Sequence, residues 1–388
     1  MSASFEIKGW CPGALRPMES GDGLVVRVRP HGGCLSPAQA RSIAQGARLH
    51  GNGLIDLTSR ANLQIRGVRP HSHLPLLQAL AAHGLIDGDP ALEARRNIIV
   101  TPLGAGEART QTLELARRLE AGLAQGPDLP GKFGFAVDTA ATRVLATAPA
   151  DIRIERDAAG YLLVRAEGAA TGVCADASTA VEFALRMARW FVASGGVVVG
   201  RGRMARHLAA GARLDPALSG DARPAQVTLP MVGPCGEGVL VGAAFGQLEA
   251  QVLDTLAQLG REIRVTPWRM LLVVGAKDVP AIEGLTLTPG DPLLAVSACS
   301  GAPACPQALA PTRHLARHLA PFVPPGRHLH VSGCAKGCAR QEAAPFTLCA
   351  TSSGFDLILE GNARSVPARS GLSEAAIRAN PHSLFEPA

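Results

Sequence analysis

The sequence predicts an α+β protein made of two copies of one unit, related by a pseudo-two-fold axis. Three observations predict this. A strand, helix, strand, strand order recurs in both halves, and a strand, helix, strand, hairpin order follows each copy. The segments "LTSRANLQIRGV" and "VTPWRMLLVVGA" lie over one another when the halves are aligned. The length of 388 residues agrees, because single hydrophobic cores stop growing near about 250 to 300 residues.

The elements follow in order. "GLVVRVRP" at 23–30 is rich in β-branched residues and reads as a strand. "SPAQARSIAQGARLHG" at 36–51 reads as a helix. Ser36 there caps an amide with no partner inside the helix, and Pro37 sits where its missing N–H costs nothing. "LIDLTSRANLQIRGV" gives two short strands around a turn; "RRNIIVTPLG", a helix, "GKFGFAVDTA" and a hairpin complete the first half. The Gly- and Arg-rich stretch 193–224 reads as a linker. In the second half "GVLVGAAF" is a strand, "GQLEAQVLDTLAQLG" a helix and "REIRVTPWRMLLVVGA" two strands. Then come "LLAVSACSGAP", a helix, "RHLHVSGCAKGCA" and a hairpin. The expected domains are 1–86 and 87–192, then 225–286 and 287–388. A cleft between the copies should gather residues from equivalent places around one ligand.

Composition bounds the chemistry. No apolar run approaches the roughly 18 to 20 residues that span a bilayer, and "MSASFEIKGWCPG" lacks the basic and apolar regions of a signal peptide. The expected compartment is the cytoplasm, with no membrane partner. Clustered thiols in a reducing compartment bind metal or do redox chemistry more often than they form disulfides. The net charge of +6 is carried by arginine, since only Lys8, Lys132, Lys277 and Lys336 are lysines. Arginine's planar fork suits carboxylate or phosphate, although a coding bias explains the same excess. Aromatics are only 4%, and no basic tract interleaves with them, so a polyanionic small molecule is expected and nucleic acid is not.

Four of the nine cysteines fall in two pairs, Cys299-x5-Cys305 and Cys334-x3-Cys338. Zinc sites usually pair cysteines about two to four residues apart, so the first spacing argues mildly against zinc. A [4Fe–4S] cluster needs thiolates around a larger volume, and small neighbours let backbone N–H groups approach its sulfurs. Gly301, Ala302, Ala304, Gly333, Ala335 and Gly337 supply those small neighbours, and Pro306 is placed to begin a helix whose positive end faces the cluster. On spacing alone the cluster leads, with zinc and buried cysteines as alternatives. Cys11, Cys34, Cys174, Cys235 and Cys349 are scattered and read as structural.

C-x5-C followed by G-C-x3-C, in the second half of a duplicated α+β chain, resembles the sulfite and nitrite reductase superfamily. The resemblance spans nearly the whole chain. It implies an internally duplicated fold with ferredoxin-like half-domains and a [4Fe–4S] cluster on Cys299, Cys305, Cys334 and Cys338. It also implies substrate-binding roles for positions that match the superfamily's motifs. These are Arg60 and Gln64 in T-x-R-x-x-x-Q beginning at Thr58, Arg96 and Asn97 in the R-N pair, and Lys132 in K-x-K. In the sirohaem-dependent members the last cysteine, here Cys338, bridges to the sirohaem iron.

The chain departs from the reductases. Gly134 replaces the second lysine, and the acidic residue after the second cysteine pair is replaced near Pro345. Losing a cation weakens binding of a small dianion. The opening "KGWCPGALRPMESGDGLVVRVRPHGG" resembles instead the cobalamin-pathway monooxygenases of the superfamily. That implies hydroxylation of precorrin-3A at C20 by dioxygen, with γ-lactone formation, and a mononuclear non-haem iron beside the cluster. Candidates by type for that iron are His31, His50, His71 and His73; no catalytic residue is assigned. A separate NADH-dependent reductase is implied, because "GAGEAR" at 104 lacks the third glycine of a dinucleotide-binding turn. The alternatives are a sirohaem-dependent sulfite or nitrite reductase and a non-enzymatic cluster protein.

Overall fold

The computed structural model describes residues 12–140 and 142–386. Cys11 and the opening "KGWC" lie outside the described residues. The first half runs β1 (Met18–Ser20), β2 (Gly23–Val28), β3 (Cys34–Leu35), α1 (Pro37–His50), β4 (Leu54–Leu57), β5 (Leu63–Val68), α2 (Pro70–Ala81), α3 (Pro90–Arg95), β6 (Ile98–Val100), α4 (Gly106–Ala124), β7 (Phe135–Asp138), β8 (Ile152–Arg156), β9 (Leu162–Ala166), β10 (Val173–Ala175) and α5 (Ala180–Ala193). The second runs α6 (Met204–Ala209), β11 (Gly233–Cys235), β12 (Gly238–Ala243), β13 (Gln247–Glu249), α7 (Ala250–Gln258), β14 (Ile263–Val265), β15 (Met270–Val274), β16 (Leu285–Thr286), β17 (Val296–Ala298), α8 (Arg313–Leu319), β18 (Leu329–Ser332), β19 (Ala344–Thr351), β20 (Gly354–Gly361), β21 (Arg369–Leu372) and α9 (Glu374–Ala379).

These strands form four sheets in two matched pairs. The first pair has orders β1-β2-β5-β4-β13 and β11-β12-β15-β14-β3, so each half lends one strand to the edge of the other's sheet. Gln247 to Glu249 pair with β4, and Cys34 and Leu35 pair with β14. The turns that redirect the chain are alike, with Gly32 at φ 60° and Phe245 at φ 58°. A left-handed phenylalanine is strained, and it is kept here because the neighbouring structure fixes the turn. One core joins both sheets, with Val26, Leu63 and Ile65 from one and Val241, Leu271 and Val273 from the other, under α1 and α7.

The second pair, β10-β9-β8-β7-β6 and β17-β18-β19-β20-β21, each combine parallel strands with an antiparallel hairpin edge. One face of each is covered by helices, α4 and α5 in the first half and α8 and α9 in the second. Helix α1 carries the expected cap: Ser36 Oγ accepts from Gln39 N, and the Gln39 side chain accepts from Ser36 N. The stretch 193–224, expected to join the halves, packs against the first-half sheet. Met204 and Leu218 are buried in the core of the first-half sheet, and Asp151 accepts from Arg203 Nε and Met204 N at 2.9 Å each.

Candidate functional site

Strands β17 and β18 are parallel neighbours, with Val296 opposite Leu329, so the loops that follow them leave the same end of the sheet. The first loop carries Cys299 and Cys305, the second Cys334 and Cys338. Backbone bonds tie the two together: Leu309 N donates to Gly333 O at 2.8 Å, and Gly333 N donates to Cys299 Sγ at 3.2 Å. A side chain at 333 would stand 2.7 Å from Ala308 Cβ, so this approach needs glycine. Thr312 Oγ1 donates to Cys299 O and Ser332 Oγ to Cys334 O, both at 2.7 Å. No helix begins at Pro306. The chain makes a turn there, with Ala308 N on Cys305 O, and helix α8 starts only at Arg313. The reason is the pairing of Leu309 with Gly333, which a continuing helix would break.

All cysteines among the described residues are free thiols. Burial pushes Cys334 upward and Cys338 up to about 11, although Cys338 is exposed as a residue; Cys299 and Cys305 push both further in the same direction. The parallel pairing of β17 and β18 brings both pairs of thiols to the same end of the sheet. Iron that displaces their protons would remove that penalty, so the donor set fits a [4Fe–4S] cluster. Among the described residues no three His, Cys, Asp or Glu side chains are gathered to hold a single metal ion. The histidines named for a mononuclear iron do not fit that role. His31 Nδ1 lies 3.1 Å from Glu120, His73 Nε2 lies 2.8 Å from Ala14 O, and the set does not gather with His50 and His71.

The surface facing the first cysteine loop is set by strand alternation. On β2, β4 and β5, residues Val26, Ile55, Leu63 and Ile65 enter the core, which turns Arg27, Asp56, Gln64 and Arg66 outward. Arg27 stands opposite Gln64, and Gln64 opposite Asp56. The loop lies against this face: Gly21 N and Arg66 Nη2 donate to Ala304 O at 3.1 and 3.2 Å, and Arg313 Nη2 donates to Asp56 Oδ1 at 3.2 Å. Arg269 is close by. Burial holds its guanidinium below the usual range, Arg313 adds to this, and Asp56 and Cys299 oppose it. Arg27, Arg66, Arg269 and Arg313 escaped the sequence reading. The alternation in "VVRVR" and "LQIRG" is the signal that points to the first two.

Residues 16–83 match the nitrite/sulfite reductase ferredoxin-like half domain. A curated relative from a Sinorhizobium species, precorrin-3B synthase, is 31% identical over 394 residues, which cover 93% of this chain and 84% of that protein. The chain belongs to the precorrin-3B synthase family. The structure of Mycobacterium tuberculosis NirA protein aligns with a TM-score of 0.57 and 18% identity, over 92% of this chain and 79% of that one. That likeness is one of fold, and the fold is the internally duplicated α+β architecture expected, with ferredoxin-like half-domains. Among the described residues no helix is long and apolar enough to cross a membrane.

In this precorrin-3B synthase family chain the motif cations separate into two groups. Arg60 and Lys132 meet at the edge of the first-half sheet, where Arg60 Nη2 donates to Lys132 O at 2.8 Å and Nη1 to Pro149 O at 3.3 Å; Lys132 itself is exposed. A Cβ at Gly134 would stand 3.0 Å from Arg60 Nη1, so the missing lysine leaves room that Arg60 uses. Arg96 and Asn97 are buried and committed elsewhere. Arg96 holds both Asp87 oxygens at 2.8 and 2.9 Å and Arg29 O at 2.7 Å. Asn97 accepts from Arg29 Nη1 at 2.8 Å and donates to Ala94 O and Gly131 O. Gln64, by contrast, lies in the outward row beside Arg27.

Proposed function

We propose that this protein hydroxylates precorrin-3A at C20 with dioxygen and closes a γ-lactone from the ring A acetate, as a cytoplasmic step of cobalamin synthesis. The observation that carries the reading is the placement of an arginine-bearing sheet face directly against the first cysteine loop. A tetrapyrrole bearing many carboxylates needs bidentate cations spread over a flat surface, and Arg27 supplies one beside Gln64 with Arg269 at the margin, while Arg66 and Arg313, ion-paired with Asp22 and Asp56, hold that face against the first loop. Family membership supports the same substrate. Arg60 and Lys132 would meet carboxylates at the cleft edge, while Arg96 and Asn97 hold the backbone that positions them.

Cys299, Cys305, Cys334 and Cys338 would hold a [4Fe–4S] cluster, which supplies electrons one at a time. Gly333 keeps the two loops close, and the sheet face shields one side of them from water. One oxygen atom enters the product and the other leaves as water, with electrons from a separate NADH-dependent reductase. No step is assigned to a mononuclear iron, because the named histidines do not form a ligand set. Labelled dioxygen and mass spectrometry of the product test the reading. Label in the C20 hydroxyl, formed only when precorrin-3A and a donor are both present, is the expected result. Sirohaem bands in the spectrum, with steady reduction of sulfite, would hand the protein to the reductases.

A further inference from the structure

The duplication builds the edge site of Arg60 and Lys132 twice. In the first half the turn between β4 and β5 leans over the starts of β6 and β7; in the second the turn between β14 and β15 leans over the starts of β17 and β18. The supporting bonds match. Thr58 N donates to Asn62 O at 3.0 Å and Thr266 N to Met270 O at 3.2 Å. Ile152 N donates to Gly134 O at 3.3 Å and Phe346 N to His328 O at 3.2 Å. These registers pair Arg29 with Gly242, Arg60 with Trp268, Arg96 with Leu294 and Gly134 with His328.

The occupants differ. In the first half the bodies of Arg29 and Arg96 fill the space and close it with hydrogen bonds. In the second half a glycine and a leucine stand there, and a cavity of about 330 Å³ opens. Its apolar wall includes Met231, Val232, Phe245, Met270 and Leu294. Its polar lining is Trp268, Arg269, Ser297 and His328, with no acidic side chain among the described residues that line it. The Trp268 indole N–H is buried and has no acceptor. Ser297 Oγ and His328 Nε2 lie 3.2 Å apart, so a hydroxyl and an imidazole face the same space.

We propose that this cavity is a second ligand site, for a small molecule with an apolar body and a single carboxylate head. The apolar wall takes the body, and the Arg269 guanidinium beside the Ser297 hydroxyl and His328 imidazole, with no carboxylate among them, asks for an anionic oxygen. The volume suits a medium-chain or bicyclic acid and is too small for a tetrapyrrole. The site rests on neither the cluster nor the hydroxylation, and its test needs neither.

The test is titration of the purified full chain with decanoate, read by displacement of 8-anilinonaphthalene-1-sulfonate. Decanoate should displace the dye, and decanol should do so at least about tenfold less well, because it lacks the charged head. Leu294→Trp, which fills the cavity from a position that is 38% exposed, should weaken decanoate by about tenfold or more. Equal displacement by decanoate and decanol in the wild type overturns the proposal, even where a variant does not fold. So does unchanged decanoate affinity in a folded Leu294→Trp protein.

Discussion

The two strand-exchanged sheets match on their inner faces and diverge on their outer ones. Inside, Leu63 corresponds to Leu271, Ile65 to Val273 and Ile55 to Ile263, all in one core. Outside, Arg27 corresponds to Leu240, Gln64 to Leu272, Arg66 to Val274 and Asp56 to Arg264. The outer face of the second sheet packs an apolar cluster of Leu240, Leu272, Met270 and Val232. The outer face of the first meets the first cysteine loop. Packing constrains the inner residues of both copies alike, whereas the outer residues are free to diverge, and the chemistry is concentrated there.

The sharpest way to break this comparison is to remove the loops' thiols. Cys299→Ser, Cys305→Ser, Cys334→Ser or Cys338→Ser should each abolish iron, acid-labile sulfide and turnover, while Cys174→Ser in the first half leaves all three intact. Stoichiometric zinc without acid-labile sulfide would make the loops a single-ion site. Next in size is the matched pair Arg96 and Leu294. Asp87→Ala leaves Arg96, whose side chain is 6% exposed, with Glu120 at 3.7 Å as its remaining carboxylate and should cost about 3 kcal/mol in a denaturant titration. Leu294→Ala, at the open counterpart, should cost less than about 1 kcal/mol.

Asp138 and Ser332 occupy equivalent strand ends, and both hold the loop that follows. Asp138 Oδ2 accepts from Val144 N at 2.8 Å and from Leu145 N, whereas Ser332 donates to Cys334 O. Burial raises Asp138 from the ordinary 3.8 to about 6, against those two backbone bonds. A raised folded-state value means the proton is held more tightly in the native protein. The resulting stability is complete below the unfolded value and disappears as pH rises through about 6. Between about pH 4 and pH 7 the wild type should therefore lose on the order of 3 kcal/mol relative to Asp138→Asn. Parallel stability curves for the two proteins would refute this. A further effect concerns the outer row and the edge. Arg27→Gln and Lys132→Ala should each weaken tetrapyrrole binding by about 1.5 to 3 kcal/mol with cluster content unchanged, as a titration of substrate into each variant would show.

Much of the fold was legible because it rests on local signals. Ser36 and Pro37 announce the start of α1, and the repeated strand order announces the duplication. The cysteine pairs were legible as a motif, but their meeting depends on β17 lying parallel to β18, which no local spacing encodes. Pro306 was misleading because helix propensity at one residue competes with the distant pairing of Leu309 and Gly333. The packing of the stretch 193–224 was not legible because Met204 and Leu218 are single anchors without periodicity. Arg96 shows the limit most clearly: a motif marks an arginine as cationic, but only the fold reveals that Asp87 already neutralises it.

The lent strands also order events during synthesis. Gln247 Nε2 donates to Asp56 Oδ1 across a separation of 191 residues, and Arg48 reaches Asp254 across 206. The first sheet therefore leaves the ribosome with an unpaired edge at β4, and that edge stays open until β13 emerges much later. A nascent chain halted between the halves should be prone to pairing with other chains, and neither half expressed alone has a complete sheet. The outward arginines become a finished surface only late in translation, when Arg313 and the first cysteine loop arrive beside them.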